Sequence, residues 1–477
     1  MTDEVPPALR TRVFGAALPR AFDNLRDDPH LRNRLGNIGH VMSGNFVGSG
    51  IALLAVAVTA RALGPHVYGN LVLTIVFARL IERLVSFQSW QPMIRYGAGL
   101  DTRRDAEALK SLFKFGLLLD IAAGMVAWLV ALLAAFIAYR FFGWSAQALQ
   151  LTAVYCTVLL FNLGGMPTAV LRLAGRFRAA SYGQVASSIV RLALCLVAIQ
   201  LGAGLWGFAL IWMGTQILGS LLFLGVGIAE LRRQGITGLF GASTRGVSQR
   251  FPGLWRFTWS ANLSLTLRSS ASQFDTLLVG LLADPTSAGL YHIAKQLGKM
   301  AQQVATQVQS VLYPDVARLW AAGAIAEFRR AVVQAEVMLA LAGVAGFVVA
   351  LVAARPLLAL VAGPEFAAAA PLLIVQMIAV TLMMSGSVTQ AALMAMGRAR
   401  ETLNVVIVGT IAFHALAFLL IPGMGAMGVN VAHIVLGLIT VTGLAITLRK
   451  GIAEARARPT PAPAAQPLAA EELQPWP

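Results

Sequence analysis

The stretch Gly289–Pro314, GLYHIAKQLGKMAQQVATQVQSVLYP, decides how the chain is read. It is helical in period and long enough to cross a bilayer, yet it carries Lys295 and Lys299, then Gln302, Gln303, Gln307 and Gln309. Two lysines four residues apart share one face of a helix. A charge at mid-membrane costs at least ~2.5–3.5 kcal/mol, so such a face turns to a protein interior or a water-filled cavity. Cations held at that depth suit an anionic passenger.

The surrounding sequence fits a membrane frame for this face. The chain has 477 residues, is 57% hydrophobic and only 12% charged, with a mean hydropathy of +0.72; soluble domains are about 25% charged. Many apolar runs reach the ~20 residues that span ~30 Å of hydrocarbon. They do not alternate as barrel strands do. The fold expected is all-α and polytopic, with twelve transmembrane helices near 43–63, 70–93, 112–138, 148–171, 181–201, 205–229, 257–283, 289–312, 331–354, 367–396, 402–421 and 427–448.

The formal charge of +16 does not indicate nucleic acid, because the basic residues sit at helix ends. Twenty-eight of the 37 Lys and Arg fall in the tails and the connections after even-numbered spans, among them Arg95, Arg172, Arg176 and Arg178. The opposite side has only Arg61, Arg140 and Arg355. This asymmetry places both termini in the cytoplasm. Cys156 and Cys195 lie in apolar runs and read as packed thiols. No metal site and no cofactor is expected. The polar, arginine-rich start has no apolar core of the kind a cleavable signal needs.

The chain divides into a basic cytoplasmic tail (1–36), a first six-helix bundle (37–230), a cytoplasmic linker (231–256), a second bundle (257–449) and a proline- and alanine-rich disordered tail (450–477). The halves repeat. Gly64-Pro65 with Gly69 matches Asp284-Pro285 with Gly289; Leu173-Ala-Gly-Arg-Phe-Arg178 matches Ala395-Met-Gly-Arg-Ala-Arg400; Gly204-Leu-Trp-Gly207 matches Gly425-Ala-Met-Gly428. With an even number of spans per half the repeats are parallel. Two six-helix bundles around a central cavity are expected.

The runs ARALGPHVYGNLVL (60–73) and PLLALVAGPEFAAAAPLLIVQMIA (356–379), with the paired AGRFR and MGRAR loops, resemble bacterial O-antigen and exopolysaccharide flippases. These belong to the multidrug/oligosaccharidyl-lipid/polysaccharide exporter superfamily. The resemblance covers about residues 37–450. It implies a protein of the bacterial inner membrane that carries an undecaprenyl-diphosphate-linked oligosaccharide from the cytoplasmic to the periplasmic leaflet by alternating access. Its partners would be that lipid-linked substrate, membrane lipid and polysaccharide polymerase machinery.

Charges inside the spans supply the candidate site. Arg79, Arg83, Arg268, Lys295 and Lys299 are expected to bind substrate, with Arg79 matching Lys299 across the repeat. A diphosphate must not meet bare hydrocarbon, and guanidinium offers it bidentate bonds. Glu82 reads equally as a partner for Arg79 or Arg83, and Arg268 as one for Asp275. Asp275 is the candidate for ion coupling. Asp120 and Glu336 are expected to meet interfacial arginines, while Arg191 reads either as a snorkelling or as a lining residue. Arg176, Arg178, Arg398 and Arg400 are topology signals that could also capture an arriving diphosphate. A cation-coupled multidrug exporter is the nearest alternative, and its usual substrates fit an excess of Arg and Lys poorly. A peptidoglycan-precursor flippase is another. An enzyme is not expected, since Walker A, nucleotide-sugar and metal motifs are missing and the outer connections are short.

Overall fold

The computed structural model describes residues 29–457 apart from Gln88, Arg103 and Phe142. It leaves out the side chains of 29–46, 177–182, 184, 260–273, 310–311 and 314–315. The first 28 residues and the tail beyond 457, with the disorder expected there, lie outside the described residues.

Among the described residues every regular element is helical. In order these are α1 (Pro29–Val85), α2 (Trp90–Gly97), α3 (Ala106–Phe141), α4 (Ala146–Tyr155), α5 (Gly165–Leu173), α6 (Phe177–Gln200), α7 (Leu205–Arg233), α8 (Val247–Arg250), α9 (Leu254–Leu282), α10 (Pro285–Ala321), α11 (Ile325–Ala362), α12 (Ala370–Ala395), α13 (Ala399–Met424) and α14 (Ala426–Ala457). Eight segments are long and apolar enough to cross a membrane. One of them, Val47–Gly97, covers two expected spans. The expected span on α6 is helical, with an apolar part over Val185–Gln200, and those on α9 and α10 are helical but less apolar, carrying Arg268, Asp275, Lys295 and Lys299.

Helix α3 shows why this chain suits lipid. Ala123, Ala127, Ala131 and Ala135 recur every four residues and are buried, while Met125, Leu129, Leu133 and Phe136 are exposed. In hydrocarbon, large apolar groups gain nothing by leaving lipid, so small residues take the helix–helix contacts.

The chain forms two compact units, one of residues up to Ile293 with Leu358–Phe366, the other of Ala294–Leu357 with Ala367 onward. In the first unit α1 is kinked at Gly64, whose φ of 69° suits a residue without Cβ. Helix α10 opens on Asp284, which accepts from the backbone and the hydroxyl of Ser287 at 2.9 and 2.6 Å. Burial acts to raise the Asp284 carboxyl, but the bonds from Ser287 and Thr286 outweigh it and hold the group below its usual range. With Pro285 at the first helical position, this is a favourable helix start. Asp284→Ala should cost about 1 kcal/mol, measurable as a lower Tm of the solubilised protein.

These matched helix starts meet. A Cβ on Gly69 would lie 1.8 Å from the Pro285 carbonyl oxygen, and one on Gly289 would lie 2.4 Å from that of Pro65. Tyr68 Oη and His292 Nδ1 share a buried hydrogen bond of 2.7 Å beside this crossing, and the Tyr68 ring meets Phe366 edge-on.

The stretch read as a linker is folded. Ile236, Leu239, Val247 and Phe251 are buried in one apolar cluster with Met93, Leu112 and Val170. Lys114 Nζ donates to the carbonyls of Phe240 and Ala242 at 2.6 and 2.7 Å. Tyr96 Oη donates to that of Pro252 at 3.0 Å. The alternation of glycine and arginine conceals this pattern of apolar anchors.

In place of one regular fourth span, α4 tightens into a 3-10 turn over Cys156–Phe161 and restarts as α5. Asp120 on α3 accepts from Gly165 N at 3.1 Å, at the start of α5. In the second unit Glu336 on α11 accepts from Thr389 N at 3.0 Å and from its hydroxyl. Both carboxylates were expected to face interfacial arginines. They instead satisfy backbone N–H groups of the following membrane segment, which lipid cannot do.

Candidate functional site

Helix α4 ends at Tyr155, where its 3-10 turn begins. Thr152 on α4 faces α1, its hydroxyl 3.5 Å from that of Thr74. Tyr155 follows one helical turn later on the same side. Arg79, Glu82 and Arg191 all act electrostatically on Tyr155, and Arg79 also acts on Arg191. The Tyr155 hydroxyl is buried without a hydrogen-bond partner.

Glu82 lies in the field of Arg79 and Arg83, and its carboxylate accepts from Asn162 Nδ2 at 3.0 Å. Its bonded partner is thus Asn162, from beyond the 3-10 turn, while Arg79 and Arg83 act on it through their charge. Among the described residues Arg79 makes no hydrogen bond and no ion pair within 4.0 Å. Arg83 is exposed.

Arg191 on α6 is held more firmly. Its Nε donates to Thr215 Oγ1 at 2.9 Å, and its guanidinium lies 4.7 Å from the Trp212 ring centre. Trp212 Nε1 in turn donates to Thr59 Oγ1 at 3.2 Å, beside the buried thiol of Cys195. Both cysteines are free and buried. This support came from threonines and a tryptophan that carry no signal in a charge-based reading.

Asp275 is fully buried. It accepts from the Tyr291 hydroxyl at 3.0 Å and from the backbone and hydroxyl of Thr276 at 2.6 and 3.2 Å. The side chain of Arg268, its expected partner, lies outside the described residues, as does that of Arg178. Lys295 and Lys299 are half-buried on α10 and belong to the second unit, whereas Arg79 belongs to the first.

The paired Gly-Arg loops have a definite partner in each half. Arg176 Nη1 donates to Glu230 Oε2 at 2.7 Å, near the end of α7. Arg398 bonds Glu401 at 2.8 Å and also Glu454 near the end of α14. The carboxylate of each clasp lies on the sixth helix of its half, so the loop before the fifth helix is tied to the end of the sixth. Arg400 is exposed. Arg176→Glu should lower stability by about 1 kcal/mol, with Arg176→Glu plus Glu230→Arg recovering most of it. Thermal unfolding in detergent separates this clasp from a role in charge alone, because the exchanged pair restores contact without restoring Arg176.

The model of a family described as "Polysaccharide biosynthesis protein" matches residues 35–320. The inner membrane protein YghQ of Escherichia coli (strain K12) is 28% identical over 294 residues, which is 61% of this chain and 82% of that protein. An inward-facing multidrug resistance MATE family transporter of the MOP superfamily shares the fold with a TM-score of 0.65 at 17% identity, covering 87% of this chain and 95% of its own. The lipid II flippase MurJ, in an inward closed conformation, also gives 0.65 at 11% identity, covering 87% and 89%.

Proposed function

Because the chain belongs to the polysaccharide biosynthesis protein family, we propose that it is an inner-membrane flippase for a lipid-linked oligosaccharide. It moves an undecaprenyl-diphosphate-linked glycan from the cytoplasmic to the periplasmic leaflet by alternating access. Both termini lie in the cytoplasm on this reading, and the twelve expected spans all cross the bilayer.

The observation that carries the proposal is the cationic interior of the first unit. Arg79 is half-buried and makes no hydrogen bond or ion pair among the described residues. Arg191 gives only its Nε to Thr215, and the Glu82 carboxylate is taken by Asn162. A cation without a bonded partner inside a membrane protein is costly unless an anion joins it. A diphosphate supplies that anion and leaves its polyprenyl tail in lipid. A cationic drug would meet repulsion here, which disfavours the multidrug alternative. The MurJ likeness keeps a peptidoglycan precursor in view, and its carrier diphosphate would use the same cations.

Arg79, Arg83, Arg268, Lys295 and Lys299 are assigned to the substrate by charge. Asp275 is assigned to ion coupling: Asp275→Asn should uncouple transport from the ion gradient while keeping substrate binding. The test of function is depletion in cells making a labelled glycan. Lipid-linked glycan should accumulate on the cytoplasmic leaflet and return to normal when the wild-type chain is restored. An unchanged distribution between leaflets, with the protein gone, would remove the proposal.

A further inference from the structure

We infer that Lys114 holds the phosphate of an anionic phospholipid on the outer face of α3, where the folded 231–256 stretch meets that helix. The distribution of Lys and Arg puts this end of α3 at the cytoplasmic leaflet.

Three contacts build the place. Lys114 Nζ donates to the carbonyl of Phe240 at 2.6 Å and to that of Ala242 at 2.7 Å. The next residue, Phe115, meets the Trp255 ring edge-on, with centres 5.2 Å apart. Two points of the 231–256 stretch are thereby fastened to adjacent residues of α3. Each brings an exposed aromatic side chain there, Phe240 at 63% and Trp255 at 44% exposure. An ammonium has three N–H groups. Two are used on neutral carbonyls, and among the described residues no carboxylate pairs with Lys114. Glu107, earlier on the same face of the helix, is bonded to Lys110 at 2.8 Å. The Lys114 charge is held in place but not neutralised, and one donor is left over.

Beyond Lys114 the same face of α3 carries Leu118, Ile121, Met125 and Leu129 at helical spacing, all of them exposed, while Ala123 and Ala127 on the opposite face are buried. A cation at the head of an exposed apolar stripe matches the two parts of a phospholipid. The phosphate meets the ammonium, and an acyl chain runs along the stripe. Aromatic side chains are usual at headgroup level. The surrounding charge agrees: from Leu231 to Phe274 the chain has no Asp or Glu, whereas Arg232, Arg233, Arg245, Arg250 and Arg256 are exposed. Such a surface draws an anionic headgroup more than a zwitterionic one. A prenyl-linked substrate also carries phosphate, but a single remaining N–H suits a phosphodiester better than a diphosphate. An apolar stripe also suits lipid better than it suits a glycan.

The test is native mass spectrometry of the purified full-length protein with dioleoylphosphatidylglycerol or dioleoylphosphatidylcholine. For the first lipid bound, the wild type should prefer phosphatidylglycerol about tenfold. Lys114→Gln should remove most of that preference, and Lys114→Arg should keep it. Phe240→Ala should weaken phosphatidylglycerol severalfold; it leaves the carbonyl that Lys114 bonds, so it probes lipid contact with the stretch still anchored. Phe141→Ala, at the far end of α3 and 74% exposed, should bind as the wild type does. Phosphatidylglycerol should also raise the unfolding temperature of the wild type more than that of Lys114→Gln. A wild type without the preference, or an unaltered preference in both Lys114→Gln and Phe240→Ala, would overturn the site. Displacement of phosphatidylglycerol by an equal concentration of farnesyl phosphate would give the place to a prenyl carrier and overturn the phospholipid.

Discussion

Replacing Arg79 with alanine is expected to cut glycan export at least thirtyfold while leaving the protein at near-normal abundance. The size follows from losing a charge-assisted contact of about 2–3 kcal/mol to an anion inside the membrane. Normal abundance is expected because Glu82 retains its bond from Asn162 and lies also in the field of Arg83. Nothing else among the described residues depends on the Arg79 guanidinium for a hydrogen bond. Arg79→Lys should restore export only partly, since the point charge survives and the bidentate geometry does not. Export comparable to wild type in the alanine variant would show that this cation does not meet the substrate.

The second large effect is expected at the helix crossing. Gly69→Ala and Gly289→Ala each place a Cβ against backbone oxygen, at 1.8 and 2.4 Å from the carbonyls of Pro285 and Pro65. Backbone cannot swing aside as a side chain can, so the helices must part. Overpacking of this kind costs about 1–3 kcal/mol or more. It would also disturb the Tyr68–His292 bond of 2.7 Å nearby. Each variant should be recovered from membranes at a fraction of wild-type yield and unfold at lower temperature. Gly99→Ala, with nothing within 4 Å of the added carbon, should behave as wild type. Equal stability of all three variants would mean that the crossing does not hold the fold.

The sequence made part of this legible. Apolar length and the repeat between halves identified a helical membrane protein, and the matched Pro–Gly motifs marked special backbone positions. That those motifs pack against one another was not legible, because a repeat reveals equivalence rather than contact. The Gly-Arg loops were visible for the same reason, yet their clasps were not. Arg176 and Arg398 are 222 apart, whereas Glu230 and Glu454 are 224 apart, so the partners slip out of register with the motif. The bonds of Asp120 and Glu336 also escaped a reading by charge, since their partners are backbone N–H groups at Gly165 and Thr389. Sequence pairing considers side chains and overlooks such donors.

The interior site shows the same division. Arg79 stood out as a cation at mid-span with a counterpart in the other half. Arg191 had no counterpart, and its support by Thr215 and Trp212 depends on α6 and α7 lying side by side. Tyr155 offered no signal at all, for a tyrosine in an apolar run is ordinarily a packing residue. It becomes notable only when its hydroxyl is found buried without a partner among three charged groups.

The central claim is that the chain itself moves a diphosphate-linked glycan across the bilayer through this cationic interior. Its most direct test is reconstitution of the purified protein into liposomes loaded on one leaflet with fluorescent undecaprenyl-diphosphate-linked oligosaccharide. Appearance of the glycan on the opposite leaflet is followed by its accessibility to an added glycosidase. The account predicts rapid transfer with the wild type and transfer near the protein-free rate with Arg79→Ala, at equal protein incorporation. Transfer by the wild type no faster than in empty liposomes, under an imposed ion gradient of either direction, would contradict it.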